Sequence, residues 1–171
     1  MVDACKPGPR APTIATRVTD LSVLRFAVGS FDTWTDAQRA VQELRSGSKP
    51  LREISYLGLH KILMGTQAEG LCELPFPGNP APIACSAGPI AERLSARLGG
   101  GAPSLQAAIV AWLIPRHAAQ LQRTVENGKI VAWVGLADHD DERRAYRALL
   151  AAGGDSVGVH DFVEPTGKYG R

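Results

Sequence analysis

The sequence predicts an α+β domain of ferredoxin-like plan. A duplicated strand-helix-strand unit is expected to form a four-stranded antiparallel sheet with two repeat helices, with a helical insert between the repeats. Three observations carry that expectation. A hydrophobic-Gly step recurs inside apolar runs at Val28-Gly29, Leu57-Gly58, Val134-Gly135 and Val157-Gly158. The second and fourth copies share a Gly-x-His ending, Leu57-Gly58-Leu59-His60 and Val157-Gly158-Val159-His160. Between the members of each pair lies a stretch with helical spacing.

The first repeat, residues 23–60, opens with a run from Val23 to Phe31 whose β-branched and aromatic content suits a buried strand. Asp32 and Thr33 are good helix N-caps, and Trp34, Ala37, Val41 and Leu44 follow at three- and four-residue steps until Gly47 closes the helix. The second strand is expected over residues 54–60. The second repeat, residues 129–163, begins with Ile130 to Leu136, and the acids of Asp138-His139-Asp140-Asp141-Glu142 suit the positive end of a helix. Ala145, Ala148, Leu149 and Ala152 line that helix, Gly153-Gly154 stop it, and residues 156–163 form the last strand. In this plan the first and third strands sit centrally.

Residues 61–128 form the insert. From Gly65 to Gly88 the chain carries Pro75, Pro77, Pro80 and Pro82 with little periodicity, which predicts an irregular excursion. Pro89 then starts a helix ended by Gly99-Gly100-Gly101, and Ser104 caps another with Leu105, Ile109, Trp112 and Leu113 as its apolar stripe. Pro115 is well placed as the first residue of a final helix through Ala118, Leu121 and Val125 to Gly128. Residues 1–20 and 164–171 are expected as tails around a single domain over 21–163.

Composition bounds the function. The chain has 171 residues, 44% of them apolar and 21% charged, with a net charge of +2, as in an ordinary soluble globular domain. No Lys/Arg cluster offers a footprint for nucleic acid. No apolar run approaches the roughly 20 residues of a membrane span. Pro7, Pro9 and Pro12 with scattered charges do not resemble a secretory signal, and Cys5, Cys72 and Cys85 are an odd set at unremarkable spacing, so a cytoplasmic location is expected.

The arrangement resembles the heat-induced general stress protein family, 17M type. Phe31-Asp32 leads into Asp36-Ala37-Gln38-Arg39-Ala40-Val41, Ala87-Gly88-Pro89-Ile90-Ala91 supplies the middle, and Asn127-Gly128-Lys129-Ile130-Val131 enters the second repeat. The chain departs from the family in the prolines from Pro75 to Pro82 and in Leu121, where an aromatic residue is typical. The resemblance implies a fold and a stress or regulatory association, and it brings no catalytic residues with it.

Alternation along the strands sorts side chains into two faces. One set, Leu24, Phe26, Val28, Leu57, Leu59, Ile130, Ala132, Val134, Leu136, Val157 and Val159, is expected to pack under the repeat helices. The other gathers Arg25, Ala27, Gly29, Phe31, Tyr56, Gly58, His60, Val131, Trp133, Gly135, Ser156, Gly158 and His160. A strand glycine costs about 0.5–1 kcal/mol relative to alanine, so four on one face imply a close approach to the backbone. The insert, a second subunit or a bound small molecule could fill that space. Arg25, Gly29, Tyr56, Gly58, His60, Trp133, Gly135, Gly158 and His160 are accordingly the candidate ligand-binding residues.

Arg25 could hold a carboxylate or phosphate in two-point fashion, or lay its stem on Trp133 with its head at water or an acid. His60 and His160, at matching repeat positions on edge strands, could act as acid and base or ligate a metal, but edge strands stand far apart, and exposed strand-end histidines are the simpler reading. Cys72 and Cys85 lack zinc spacing, and the acids from Asp138 to Glu142 serve a helix cap better than a cation. No metal or cofactor is assigned. Two functions are consistent with this sequence: a non-catalytic stress-associated binding or oligomerisation domain, working as a homodimer, or a small enzyme or carrier of a small anionic or aromatic ligand in a cavity over the glycine face.

Overall fold

In the computed structural model the described residues are 21–51, 53–66, 68, 70–74, 82–86, 89–110, 113 and 115–165. The expected tail over 1–20 with Cys5, most of the Pro75 to Pro82 run, Ala87-Gly88 and Trp112 lie outside them. The chain is α+β. In order it forms β1 (Leu21–Phe31), α1 (Trp34–Arg45), β2 (Ile54–Leu59), α2 (His60–Leu63), β3 (Leu71–Leu74), β4 (Ile83–Ser86), α3 (Pro89–Gly99), α4 (Leu105–Ile109), α5 (Pro115–Glu126), β5 (Ile130–Leu136), α6 (His139–Ala151) and β6 (Asp155–Pro165). Among these helices none is long and apolar enough to cross a membrane.

Local chemistry sets the helix ends. Thr33, Ser104 and Asp138 cap α1, α4 and α6, each side chain accepting a hydrogen bond from a backbone N–H in the first turn. Within the acidic run, the Asp138 Oδ1 accepts from the Asp141 N–H at 2.8 Å, and the Asp141 Oδ2 accepts from the Ala137 N–H at 3.1 Å. Gly47, Gly128 and Gly153, all at positive φ, turn the chain after α1, α5 and α6.

All strand pairs are antiparallel, in the order β3-β4-β2-β5-β1-β6. The four expected strands are neighbours, and the segment expected as an irregular excursion adds β3 and β4 beyond β2. Two strands of only four residues within a proline-rich stretch give too little alternation to be seen in the sequence. Because β4 covers the outer side of β2, β2 is not an edge; β3 and β6 are.

Helices cover both faces of the sheet. On one side Phe26, Val28, Leu57, Leu59, Val131, Trp133 and Phe162 pack with Ile90 and Leu94 of α3, Leu105 and Ile109 of α4, and Leu121 and Val125 of α5. On the other, Ala27, Phe31, Tyr56, Ile130, Ala132 and Val134 pack with Ala37, Val41 and Leu44 of α1, Leu63 of α2, and Ala145 and Leu149 of α6. Burying each large apolar side chain contributes about 1.5–3 kcal/mol, so both layers matter to stability.

This corrects the expected sorting of faces. The register sets Val28 opposite Trp133, Tyr56 opposite Ala132 and Val28 opposite Gly158. Cross-strand partners share a face, so Phe26 and Val28 lie with Val131 and Trp133, not with Ala132 and Val134. Ile130, Ala132, Val134, Leu136, Val157 and Val159 belong under α1 and α6, whereas Phe26, Val28, Leu57 and Leu59 belong under α3 to α5. The four glycines therefore divide between the faces. Alternation fixes parity within a strand, but where both faces are apolar it cannot say how one strand's parity matches its neighbour's.

Each glycine then has its own reason. A Cβ on Gly29 would meet Leu149 of α6 and Val157 at 3.4–3.5 Å, and one on Gly58 would meet Leu63 at 3.4 Å. Gly135, on the other face, lies under Glu53, whose Cβ would stand 2.8 Å from an added methyl. At the turn after α6 a methyl on Gly154 would come within 2.6 Å of the Leu149 carbonyl oxygen, which already accepts the Gly154 N–H at 2.9 Å. Gly154→Ala is expected to lower unfolding free energy by about 1–3 kcal/mol, as overpacking against fixed backbone does, measured by urea denaturation.

Candidate cleft between α5 and the β1–β6 bulge

β1 and β6 pair regularly from Leu21 and Pro165 inward to Val28 and Gly158, and then the register shifts, so that Ser30 faces Asp155. The additional β6 residue is accommodated by Ser156, at φ 52°, the one non-glycine residue at positive φ among those described. Two side-chain bonds hold this bulge: the Ser30 hydroxyl donates to the Asp155 carbonyl at 3.0 Å, and the Gln120 amide donates to the Ser156 hydroxyl at 2.9 Å.

Gln120 belongs to α5, whose Ala118, Leu121 and Val125 face the sheet at helical spacing. One position around the helix from that stripe, His117, Gln120 and Thr124 overlook β6. Between helix and bulge lies an open cleft of about 370 Å³. Val28, Leu113, Leu121 and Val131 supply its apolar side chains and Ser30, His117, Gln120, Thr124, Ser156 and His160 its polar groups, while Val157 and Val159, whose side chains lie on the α6 side, border it.

The two imidazoles meet edge to face, with ring centroids 5.1 Å apart. Gly158 makes room for this, since a Cβ there would stand 3.3 Å from the His160 Nε2. The Gly-x-His step in β6 is thus a bare backbone position two residues from an imidazole that lies over it. Burial pulls the His160 pKa below its ordinary 6.5, and the charge of a protonated His117 adds to that against the opposing pull of Asp161.

Of the nine expected site residues, Gly29, Gly158 and His160 line this cleft. The others are elsewhere. Arg25 points to the opposite side of the sheet from Trp133, so its stem does not lie on the indole; its guanidinium binds Glu142 at 2.9 Å and Asp161 at 3.1 Å. Tyr56 is buried in the core under α1, edge-on to Trp34, and burial pushes its phenol up to about 12. Gly58 accommodates Leu63, and Gly135 accommodates Glu53. Trp133 is fully buried against Phe162, its indole N–H without a hydrogen-bond partner among the described residues. His60 opens α2 instead of ending an edge strand, with its Nε2 3.2 Å from the Glu73 carboxylate. β2 and β6 are separated by β5 and β1, three strand spacings or roughly 14 Å, so the matching histidines serve different places.

His117, Gln120, Thr124 and Ser30 were not among the residues expected from the sequence, and Ser156 was placed on the glycine face without being a binding candidate. A usable signal existed on α5, where His117, Gln120 and Thr124 recur at three- and four-residue steps beside the apolar stripe. Cys72 and Cys85 are cross-strand partners in β3 and β4, both free; burial pushes the Cys85 thiol up to about 12. A scan against protein-family models gives no match, and searches of curated proteins and of solved structures likewise give none.

The His160 shift has a sign that can be checked. As pH falls below 6.5 the unfolded chain takes up a proton at this residue that the folded chain resists, so stability is lost until the lower folded-state pKa is reached. Urea denaturation at a series of pH values is expected to show a smaller acid-side loss for His160→Gln than for the parent protein.

Proposed function

We propose that this chain is a small-ligand-binding domain whose site is the cleft between α5 and the β1–β6 bulge. The observation that carries this is the convergence of two imidazoles, a side-chain amide and three hydroxyls on an apolar hollow of about 370 Å³. That combination, an apolar lining with a few placed polar groups, is what small-molecule sites offer. The Ser30 and Ser156 hydroxyls are occupied in holding the bulge, which favours a binding role over nucleophilic chemistry.

The scaffold we infer is the ferredoxin-like duplication. The order β2-β5-β1-β6 places one strand of each strand-helix-strand unit between the two strands of the other, and all neighbours run antiparallel. The segment between the units supplies α3, α4 and α5, and with α5 one wall of the cleft. A stress-associated setting rests on the short motifs around Phe31-Asp32, Ala87-Gly88-Pro89 and Asn127-Gly128-Lys129 alone.

Leu121→Trp should fill the cleft while adding apolar surface. In a fragment screen by NMR, the parent protein is expected to give shifts concentrated at Gly158, Ser156 and Gln120 that this variant loses. Fragments that bind, but shift none of these signals, would refute the assignment.

A second reading, a homodimer, is favoured by the edge. β6 has 11 residues and, among the described residues, one neighbouring strand, and Tyr146 and Leu150 of α6 lie exposed at 43% and 48%. Pairing of β6 with its copy would satisfy the free edge and cover apolar surface beside it. Light scattering is expected to give twice the chain mass, reduced to the chain mass by Leu150→Glu; a monomeric parent protein would dispose of this reading.

A further inference from the structure

The cleft has a charge character that narrows its ligand. Among the described residues its lining holds no aspartate or glutamate, and the ionisable groups in it are the two imidazoles. Two acids adjoin the lining in sequence: Asp155 pairs with Lys129 at 2.8 Å, and Asp161 pairs with Arg25 at 3.1 Å. From β1 the cross-strand partner of His160 is the uncharged Phe26, and from α5 the ring contact is His117. Two partly buried imidazoles set edge to face repel when both are protonated, and an anion at their rim removes that repulsion. Its hydrocarbon comes from Leu113 and Leu121 on the helix side and from Val28 and Val131 of the sheet.

Resting on the reading of the cleft as a ligand site, we propose that it binds a small amphipathic carboxylate, with the carboxyl group at the His117 and His160 imidazoles and the apolar body against Leu121, Val28 and Val131. The imidazoles donate charge-assisted hydrogen bonds, which are roughly twice as strong as neutral ones. Gln120 and Thr124 extend the polar rim along α5. The bare backbone at Gly158 keeps the His160 ring low over the strand and leaves the space above it to the ligand. Carboxylate binding raises the proton affinity of both rings, so binding is accompanied by proton uptake and strengthens as pH falls through the histidine range.

Hexanoate and hexan-1-ol distinguish the carboxyl group from its hydrocarbon body. Calorimetry at about pH 6 is expected to give roughly tenfold tighter binding of hexanoate, the margin of a hydrogen bond to a charged partner. That preference should fall as the pH is raised to about 8. His117→Gln and His160→Gln keep a polar side chain and remove the charge; either should erase the preference while hexanol binding persists, with folding checked by NMR. Equal binding of the two probes, or a preference indifferent to both substitutions, would overturn the carboxylate assignment and leave the ligand cleft standing. If neither probe binds although other fragments shift Gly158 and Gln120, the assignment likewise fails alone; if no compound shifts those signals, both it and the ligand cleft fail.

Discussion

The sheet is a wall shared by two cores, and the register between its strands decides which side chain serves which. In β5 every residue from Ile130 to Val134 is buried, alternating between the layer of α1 and α6 and the layer of α3 to α5. A slip of one residue between β1 and β5 would exchange Trp133 for Ala132 beneath α5 and drive the indole toward α6, where Gly29 and Leu149 leave no space for it. The pairings of Val28 with Trp133 and of Gly29 with Ala132 are therefore the constraint on which the other contacts rest. Small residues gather under α6, large ones under α3 to α5, and that asymmetry selects the register.

The same constraint separates what could be read in the sequence from what could not. Helix ends were legible because their signals are local: Thr33, Ser104 and Asp138 cap as expected, and Pro89 and Pro115 open the helices they were expected to open. Strand parity was legible too, since Gly29 and Phe31 do share a face with Ala27. Matching parities across strands was not, because it depends on partners distant in sequence and the apolar residues of β1, β2 and β5 suit either side. Grouping the glycines produced a single recognition face that the register divides. β3, β4 and α2 were not legible because each has only four residues, two periods of strand alternation or little more than one helical turn.

His160 stood out in the sequence for a reason that the fold only half supports. Its pairing with His60 through the repeated Gly-x-His motif suggested equivalent roles, yet position 60 begins a helix while position 160 stays within an eleven-residue strand. The residues downstream of each motif make the difference. After His60, Ile62 and Leu63 bring the chain back onto the sheet, and Gly58 receives Leu63. After His160 the strand continues, and Gly158 receives the imidazole itself. His117 could not be read as a partner because it lies 43 residues away, on a flank of α5 beside the apolar stripe that defines that helix.

The cleft falls where the two layers part company. α3 packs on β3 and β4, and α5 on β5 and β2, so this layer is centred on the half of the sheet away from β6. Toward β6 the stripe of α5 gives way to His117, Gln120 and Thr124, while the bulge at Ser156 bends the edge strand. Apolar packing loosens there, but water does not fully replace it: His160 is only partly buried and Ser156 is exposed, yet Val28 and Val131 beside them are buried. A hollow with a hydrocarbon floor and a polar rim results from a helix layer shifted along a sheet whose last strand is bulged. Its imidazoles are acquired at that boundary, where a titratable ring can keep one side in the core and the other within reach of a ligand.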